Sequence, residues 1–233
     1  MKQINLSKKQ IDNINLSKFD KYLMPKYKIS HQEGGYGFYD KSGIEHYHLL
    51  AYLSTLYDNE TILDIGTFQG GSAFALSYNP NNKVVSVDIK YQVTTPVKEL
   101  TNIEFLVGDI LNAELGLKDS STPTIPTSGL FSEDNKVVNG HDLIQSSNFI
   151  LYDTVHNGIV ELEFHKHLIK SNWQGICLWD DIKYRWNREI REGMQTFWKS
   201  IDEDRKIDLT DYGHWTGTGL VWYGDVKPEI NLI

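Results

Sequence analysis

The sequence predicts an α/β fold, a single doubly wound domain built on a seven-stranded, mostly parallel sheet with a C-terminal antiparallel hairpin strand. Three observations predict it. From residue 61 onward, short runs rich in β-branched and aromatic residues alternate with segments at helical spacing. Most of those runs are apolar throughout instead of alternating with polar residues, the pattern of strands covered on both faces. The last two runs, 206–209 and 219–223, are joined by a glycine-rich turn too short for a crossover helix, so they should pair antiparallel.

Each element follows in order. Residues 1–43 read as a polar N-terminal cap segment with a short helical part, in which Gly34, Gly35 and Gly37 break any longer helix; the domain proper is 44–233. Tyr47, Leu50, Tyr52, Leu53 and Leu56 fall at helical spacing, which predicts a helix over 44–57. Strands are expected at 61–65, 83–87, 103–107, 149–152 and 175–179, and helices at 72–77, around 96–100, at 160–169 and at 189–201. The stretch 112–147 fits this alternation badly. It is rich in Ser, Thr and Pro over 120–128 and reads as a structureless insertion, either a lid or a surface decoration.

Composition narrows the function. The 233 residues carry 23 basic and 31 acidic side chains, a net charge of −8, which disfavours duplex nucleic acid as a partner because that binding needs a basic footprint. The single cysteine, Cys177, lies in an apolar run and should be buried and inert; with no intramolecular disulfide to form, a reducing, cytoplasmic setting is expected. No secretory h-region is visible, and no apolar stretch approaches the roughly 20 residues of a membrane helix. Self-association is left open. Trp179, Trp186 and Trp198 read as core residues.

The chemistry gathers at one edge. Asp88, Asp109, Asp153 and the pair Asp180-Asp181 all stand at strand ends, and Asp64 precedes a glycine loop that runs Gly66-Thr67-Phe68-Gln69-Gly70-Gly71-Ser72. A lone strand-terminal aspartate is an ordinary helix cap. A series of them at the carboxyl edge of an open α/β sheet marks a ligand site. Gly66 allows a tight strand-to-helix turn, and Gly70 and Gly71 let a ligand approach the backbone. A dinucleotide loop would carry glycine where Phe68 stands, so the ligand expected here has no pyrophosphate. Asp88 suits a ribose diol, and Asp109 an adenine amino group.

Ile62-Leu63-Asp64-Ile65-Gly66 with Gly70, then Val85-Ser86-Val87-Asp88, then Gly108-Asp109-Ile110 resemble the first three motifs of class I S-adenosylmethionine-dependent methyltransferases, over roughly residues 44–223. The resemblance implies a Rossmann-like fold and a cofactor site made by Asp64, Gly66, Thr67, Gly70, Gly71, Ser72, Asp88 and Asp109. Asp153-Thr154-Val155-His156 and Trp179-Asp180-Asp181-Ile182 are similar to the metal sites of catechol-type and macrolide-sugar O-methyltransferases. That likeness implies a divalent cation, Mg2+ or Mn2+, on Asp153, Asp180 and Asp181, with His156 as general base and Asp153 beside it in the catalytic machinery. Carboxylate oxygens suit such hard ions, and a coordinated hydroxyl loses its proton more readily. A histidine at this position points to a sugar or glycan hydroxyl as acceptor, or another small molecule. Gly213-His214-Trp215 and Gly217-Thr218-Gly219 also resemble a segment of small glycan methyltransferases of bacteria and large viruses. The segment 212–219 reads equally as part of the acceptor pocket or as a plain hairpin turn.

Two rival functions stay open on the sequence. A nicotinamide-dependent oxidoreductase would share Asp88, but leaves Phe68 and the aspartates after the fourth and fifth strands unexplained. A non-catalytic S-adenosylmethionine-binding module would keep the cofactor site and need none of the second cluster.

Overall fold

The computed structural model describes residues 3–19, 44–90, 93, 101–111, 130–132, 137–184, 187–225 and 227–233. The predicted helix around 96–100, the glycines at 34–37, the Ser/Thr/Pro stretch 120–128 and Trp186 lie outside them.

All seven predicted strands are present: β2 (Thr61–Ile65), β3 (Lys83–Asp88), β4 (Ile103–Val107), β7 (Phe149–Tyr152), β8 (Gly175–Asp180), β9 (Lys206–Asp208) and β10 (Thr218–Tyr223). Two further strands, β5 (Leu130–Ser132) and β6 (Val137–Val138), extend the sheet to the order β6-β5-β4-β3-β2-β7-β8-β10-β9. Pairing is parallel from β4 through β8 and antiparallel where β10 meets β8 and β9. The chain order reverses between β2 and β7, so the ends of these two strands open the crevice where such sheets bind ligands.

Alternation along each inner strand explains why the runs are apolar on both faces. Phe149 and Leu151 of β7, with Ile176 and Leu178 of β8, join one core, together with α2 (Ile44–Ser54) and α3 (Gly71–Leu76). Ile150 and Tyr152, with Cys177 and Trp179, join the other core under α4 (Gly140–Gln145), α5 (Ile159–Lys170) and α6 (Arg188–Ser200). Burying each large side chain contributes about 1.5–3 kcal/mol, so a one-residue slip of β7 or β8 is opposed by both layers. Cys177 is fully buried, and burial pushes its thiol well above the usual range. Trp179 is fully buried and Trp198 packs at the edge of the same core.

Two expectations need correction. The insertion is not structureless throughout: its second half supplies β5 and β6 on the edge beyond β4, then α4, whose first turn is capped by Asn139 accepting from the backbone N–H of His141 and Asp142. The chain also does not close on β10. A final strand, β11 (Glu229–Leu232), pairs in parallel with β1 (Gln3–Leu6), and α1 (Lys8–Asp12) and a 3-10 turn (Leu16–Phe19) then pack Ile11, Leu16 and Phe19 into the first core. Among its described residues the cap segment is therefore a strand, a short helix and a turn. No helix among the described residues is long and apolar enough to cross a membrane.

Candidate active site

The glycine loop is held from beneath. Asp64 is fully buried, and its Oδ2 accepts from Ser72 Oγ at 3.1 Å and Ser86 Oγ at 2.6 Å. Thr67 Oγ1 in turn lies 2.6 Å from Ser86 Oγ. Burial raises the Asp64 carboxyl to about 7, against the lowering effect of its two serine hydrogen bonds. Thr67, Ser72 and Asp64 thus turn their side chains into a network that supports the loop. Ser86, which reads as one more strand residue, joins them.

The glycines serve different ends. Gly66, at φ +105°, has the carbonyl of Asp153 where a Cβ would stand, 1.5 Å from that position. Gly70, at φ +89°, has only ordinary contacts around it and is required by its backbone angle. At Gly71 a Cβ would lie 2.7 Å from the Tyr47 hydroxyl, so on that side the absent side chain makes room for Tyr47 of α2.

Asp88 ends β3 beside the loop, half-buried. Its Oδ2 accepts from the Phe68 backbone N–H at 2.7 Å and its Oδ1 from that of Lys90 at 3.1 Å, with lone pairs left on both oxygens. Phe68, at φ +45°, leaves its ring about half exposed over the edge. Asp109 is exposed after β4, and its Oδ1 accepts from the backbone N–H of Leu111.

The second cluster forms where β7, β8 and the turn before β10 end together. His156 Nε2 lies 3.2 Å from Asp153 Oδ1 and 3.7 Å from Asp181 Oδ2. His156 has φ +54°, an uncommon angle for its residue type, and the buried carboxylate of Glu161 holds it there. Glu161 Oε1 accepts from the His156 backbone N–H at 2.9 Å, and Oε2 from that of Gly158 at 2.7 Å. Across the cluster, Thr216 donates its hydroxyl hydrogen to Asp181 Oδ1 and contacts His214 Nδ1. The backbone N–H groups of Ile182 and Lys183 donate to the carbonyls of Gly217 and Thr216, which zips the segment after β8 to that turn. The 212–219 segment therefore packs against the carboxylate cluster through His214, Thr216 and Gly217.

Sequence reasoning missed His46, on α2. It is buried at 6 % exposure, its Nδ1 stands 3.5 Å from Asp180 Oδ1, and neither atom makes a hydrogen bond among the described residues. His46, Asp153 and Asp180 present ligand atoms within 4.8 Å of one another, and so do Asp180, Asp181 and His214.

So much charge in a confined place shifts several of these groups. Burial, with the neighbouring Asp181 and Asp153, drives Asp180 well above the carboxylate range. Burial pushes Asp181 the same way, but hydrogen bonds from His214 and Thr216 and the His156 charge hold it below its ordinary value. Burial lowers His46 to about 4. Burial also opposes charge on His156, yet its hydrogen bond to Asp153 and the charges of Asp153, Asp181 and Asp180 raise it to about 10. A cluster of three carboxylates, two of them buried, beside two ligand atoms that lack a partner among the described residues fits a divalent cation, which would satisfy both atoms and the charge.

No protein-family model matches this chain, and no curated protein matches its sequence. Solved structures do match its shape. A Staphylococcus aureus protein described as a caffeoyl-CoA O-methyltransferase aligns with a TM-score of 0.50 at 14 % identity, covering 76 % of this chain and 82 % of its own. An S-adenosylhomocysteine-bound methyltransferase from Podospora anserina gives 0.49 at 13 % identity, covering 77 % and 78 %. An O-methyltransferase from Streptomyces achromogenes in complex with S-adenosylmethionine gives 0.47 at 17 %, covering 76 % and 78 %. The first of these likenesses, with the strand order above, establishes that the chain has the Rossmann-like fold of class I methyltransferases.

Proposed function

We propose that this protein transfers a methyl group from S-adenosylmethionine to a hydroxyl, that of a sugar or glycan, with a divalent cation (Mg2+ or Mn2+) on Asp153, Asp180 and Asp181 and with His156 as the base. The observation that carries this reading is the contact of two half-sites across one strand end. The loop that would cradle the cofactor, at Gly66, packs directly on the backbone of Asp153, whose side chain pairs with His156. A methyl donor above the loop and an acceptor above the carboxylates would then be neighbours, as in-line transfer requires.

In this reading Asp88 receives the ribose hydroxyls and Asp109 the adenine edge. His156 takes the acceptor proton at Nε2, the nitrogen it turns towards Asp153 and Asp181. A bound cation would acidify the acceptor hydroxyl and offset the carboxylate charge that otherwise holds a proton on His156. Glu161 keeps that ring in place. The exposed rings of Phe68 and Trp215 offer apolar faces of the kind that sugar rings stack against.

The test is transfer of labelled methyl from S-adenosylmethionine to a panel of glycans and free sugars, with and without EDTA. Labelled product in the presence of magnesium or manganese is expected. Binding of a nicotinamide dinucleotide but not of S-adenosylhomocysteine would overturn the reading, and cofactor binding with no transfer to any hydroxyl would favour a non-catalytic module.

A further inference from the structure

We infer that His46 is a metal ligand, and that the site therefore selects a divalent transition ion over Mg2+. The inference rests on the cation proposed above and concerns its donor set. An all-carboxylate site offers hard oxygens and suits magnesium or calcium. An imidazole nitrogen added to that set changes the preference, because Mg2+ gains little from nitrogen while first-row transition ions gain much.

Three observations place His46 in the set. It is buried, and its Nδ1 has no hydrogen-bond partner among the described residues, which leaves a desolvated polar atom unsatisfied. The atom nearest to it in charge terms, Asp180 Oδ1, is also buried and unpartnered, 3.5 Å away. Both residues, with Asp153, form one group whose ligand atoms lie within 4.8 Å of one another. His214 is grouped instead with Asp180 and Asp181, and its Nδ1 is engaged by Thr216. His46 also comes from α2, a different element from the loop that carries His156, so the two histidines need not compete for one role.

The experiment uses the purified full chain with Mn2+ as the probe, read by electron paramagnetic resonance. Free Mn2+ signal gives affinity, Mg2+ competition gives preference, and pulsed spectra of the bound ion reveal directly coordinated nitrogen. Wild-type protein should bind Mn2+ at least roughly tenfold more tightly than Mg2+ and show nitrogen coupling. His46→Ala should abolish that coupling and weaken Mn2+ by at least the roughly 10–100-fold typical of losing a mere outer-shell partner. His214→Ala should keep the coupling. The wild-type spectrum stands alone should the His46 variant fail to fold. Bound Mn2+ without nitrogen coupling, or coupling that survives in folded His46→Ala, overturns the role of His46 while the carboxylate site stands. Failure to bind either ion overturns both.

Discussion

The α-carbon of Gly66 faces the main-chain carbonyl of Asp153, so closely that a Cβ would fall 1.5 Å from the oxygen. The Asp153 backbone N–H also donates to the carbonyl of Ile65 at 2.8 Å. The turn that begins the cofactor loop and the turn that carries the first proposed metal ligand are thereby one packed unit.

Gly66→Ala should therefore damage both halves. A left-handed backbone angle costs a residue with a Cβ roughly 1–2 kcal/mol, and overpacking against a backbone atom adds about 1–3 kcal/mol. Gly70→Ala, with the same kind of angle but open surroundings, should lose only the first amount. Urea denaturation of the two variants checks this, and equal losses would show that the Asp153 carbonyl yields easily.

Asp64 should make stability fall with rising pH. Its folded value, about 7, lies above the ordinary 3.8, so the folded state binds the extra proton between them. Stability from this group is complete below about pH 4, declines as pH rises towards 7, and is flat above. Asp64→Asn cannot ionise and still offers an oxygen to Ser72 and Ser86. Its stability relative to wild type should climb across that window by on the order of 2–4 kcal/mol. Thermal melts at about pH 5, 6, 7 and 8 measure the difference; a constant offset would mean that Asp64 does not titrate in the folded protein across that window.

Cofactor affinity should depend on Asp88. Asp88→Ala should weaken S-adenosylmethionine binding in calorimetry by about 1.5–3 kcal/mol, the range of charge-assisted hydrogen bonds. Asp88→Asn should lose less, because it still accepts from the Phe68 N–H that anchors the loop. Unchanged affinity in both variants would remove Asp88 from the ribose site.

Glu161 is expected to act as a positioning residue. Its two oxygens fix the backbone of His156 and Gly158, and Glu161→Gln leaves one of these N–H groups facing an amide NH2. Methyl-transfer kcat should fall while cofactor affinity stays at the wild-type value. Loss of both together would point to general unfolding of the 153–158 loop.

What the sequence made legible follows from how local each signal is. Strand ends and their aspartates lie within a few residues of their own apolar runs, so 61–65, 83–87 and 149–152 could be placed closely. His46 could not: it sits inside a helix pattern, and only the packing of α2 across the sheet edge brings it to Asp180. The same holds for β1 and β11. Gln3-Ile4-Asn5-Leu6 and Glu229-Ile230-Asn231-Leu232 pair residue for residue, but no local turn links strands from opposite ends of a chain. Glu161 was hidden for a different reason, since a glutamate in a first helical turn ordinarily serves the helix alone.

The metal and the base should separate cleanly by mutation. Methyl transfer should stop in EDTA and return with divalent cation, because chelation removes the ion that would acidify the acceptor hydroxyl. Asp153→Asn and Asp181→Asn should mimic chelation, each removing a negative oxygen with little change in shape. Asp181→Asn should be the more disruptive to folding, since Asp181 also accepts the Thr216 hydroxyl that ties the 214–217 turn to the end of β8. His156→Ala should leave metal affinity near wild type and lower kcat by roughly 10²–10⁴, the span expected for a general base. Raising the pH should partly restore that variant, because hydroxide can take the proton instead. The measurement is kcat against pH for wild type and His156→Ala, each with metal affinity determined in parallel. Full activity in EDTA would refute the cation and leave methyl transfer standing, while full activity in His156→Ala would assign proton removal to another group of the cluster, with His214 the nearest candidate.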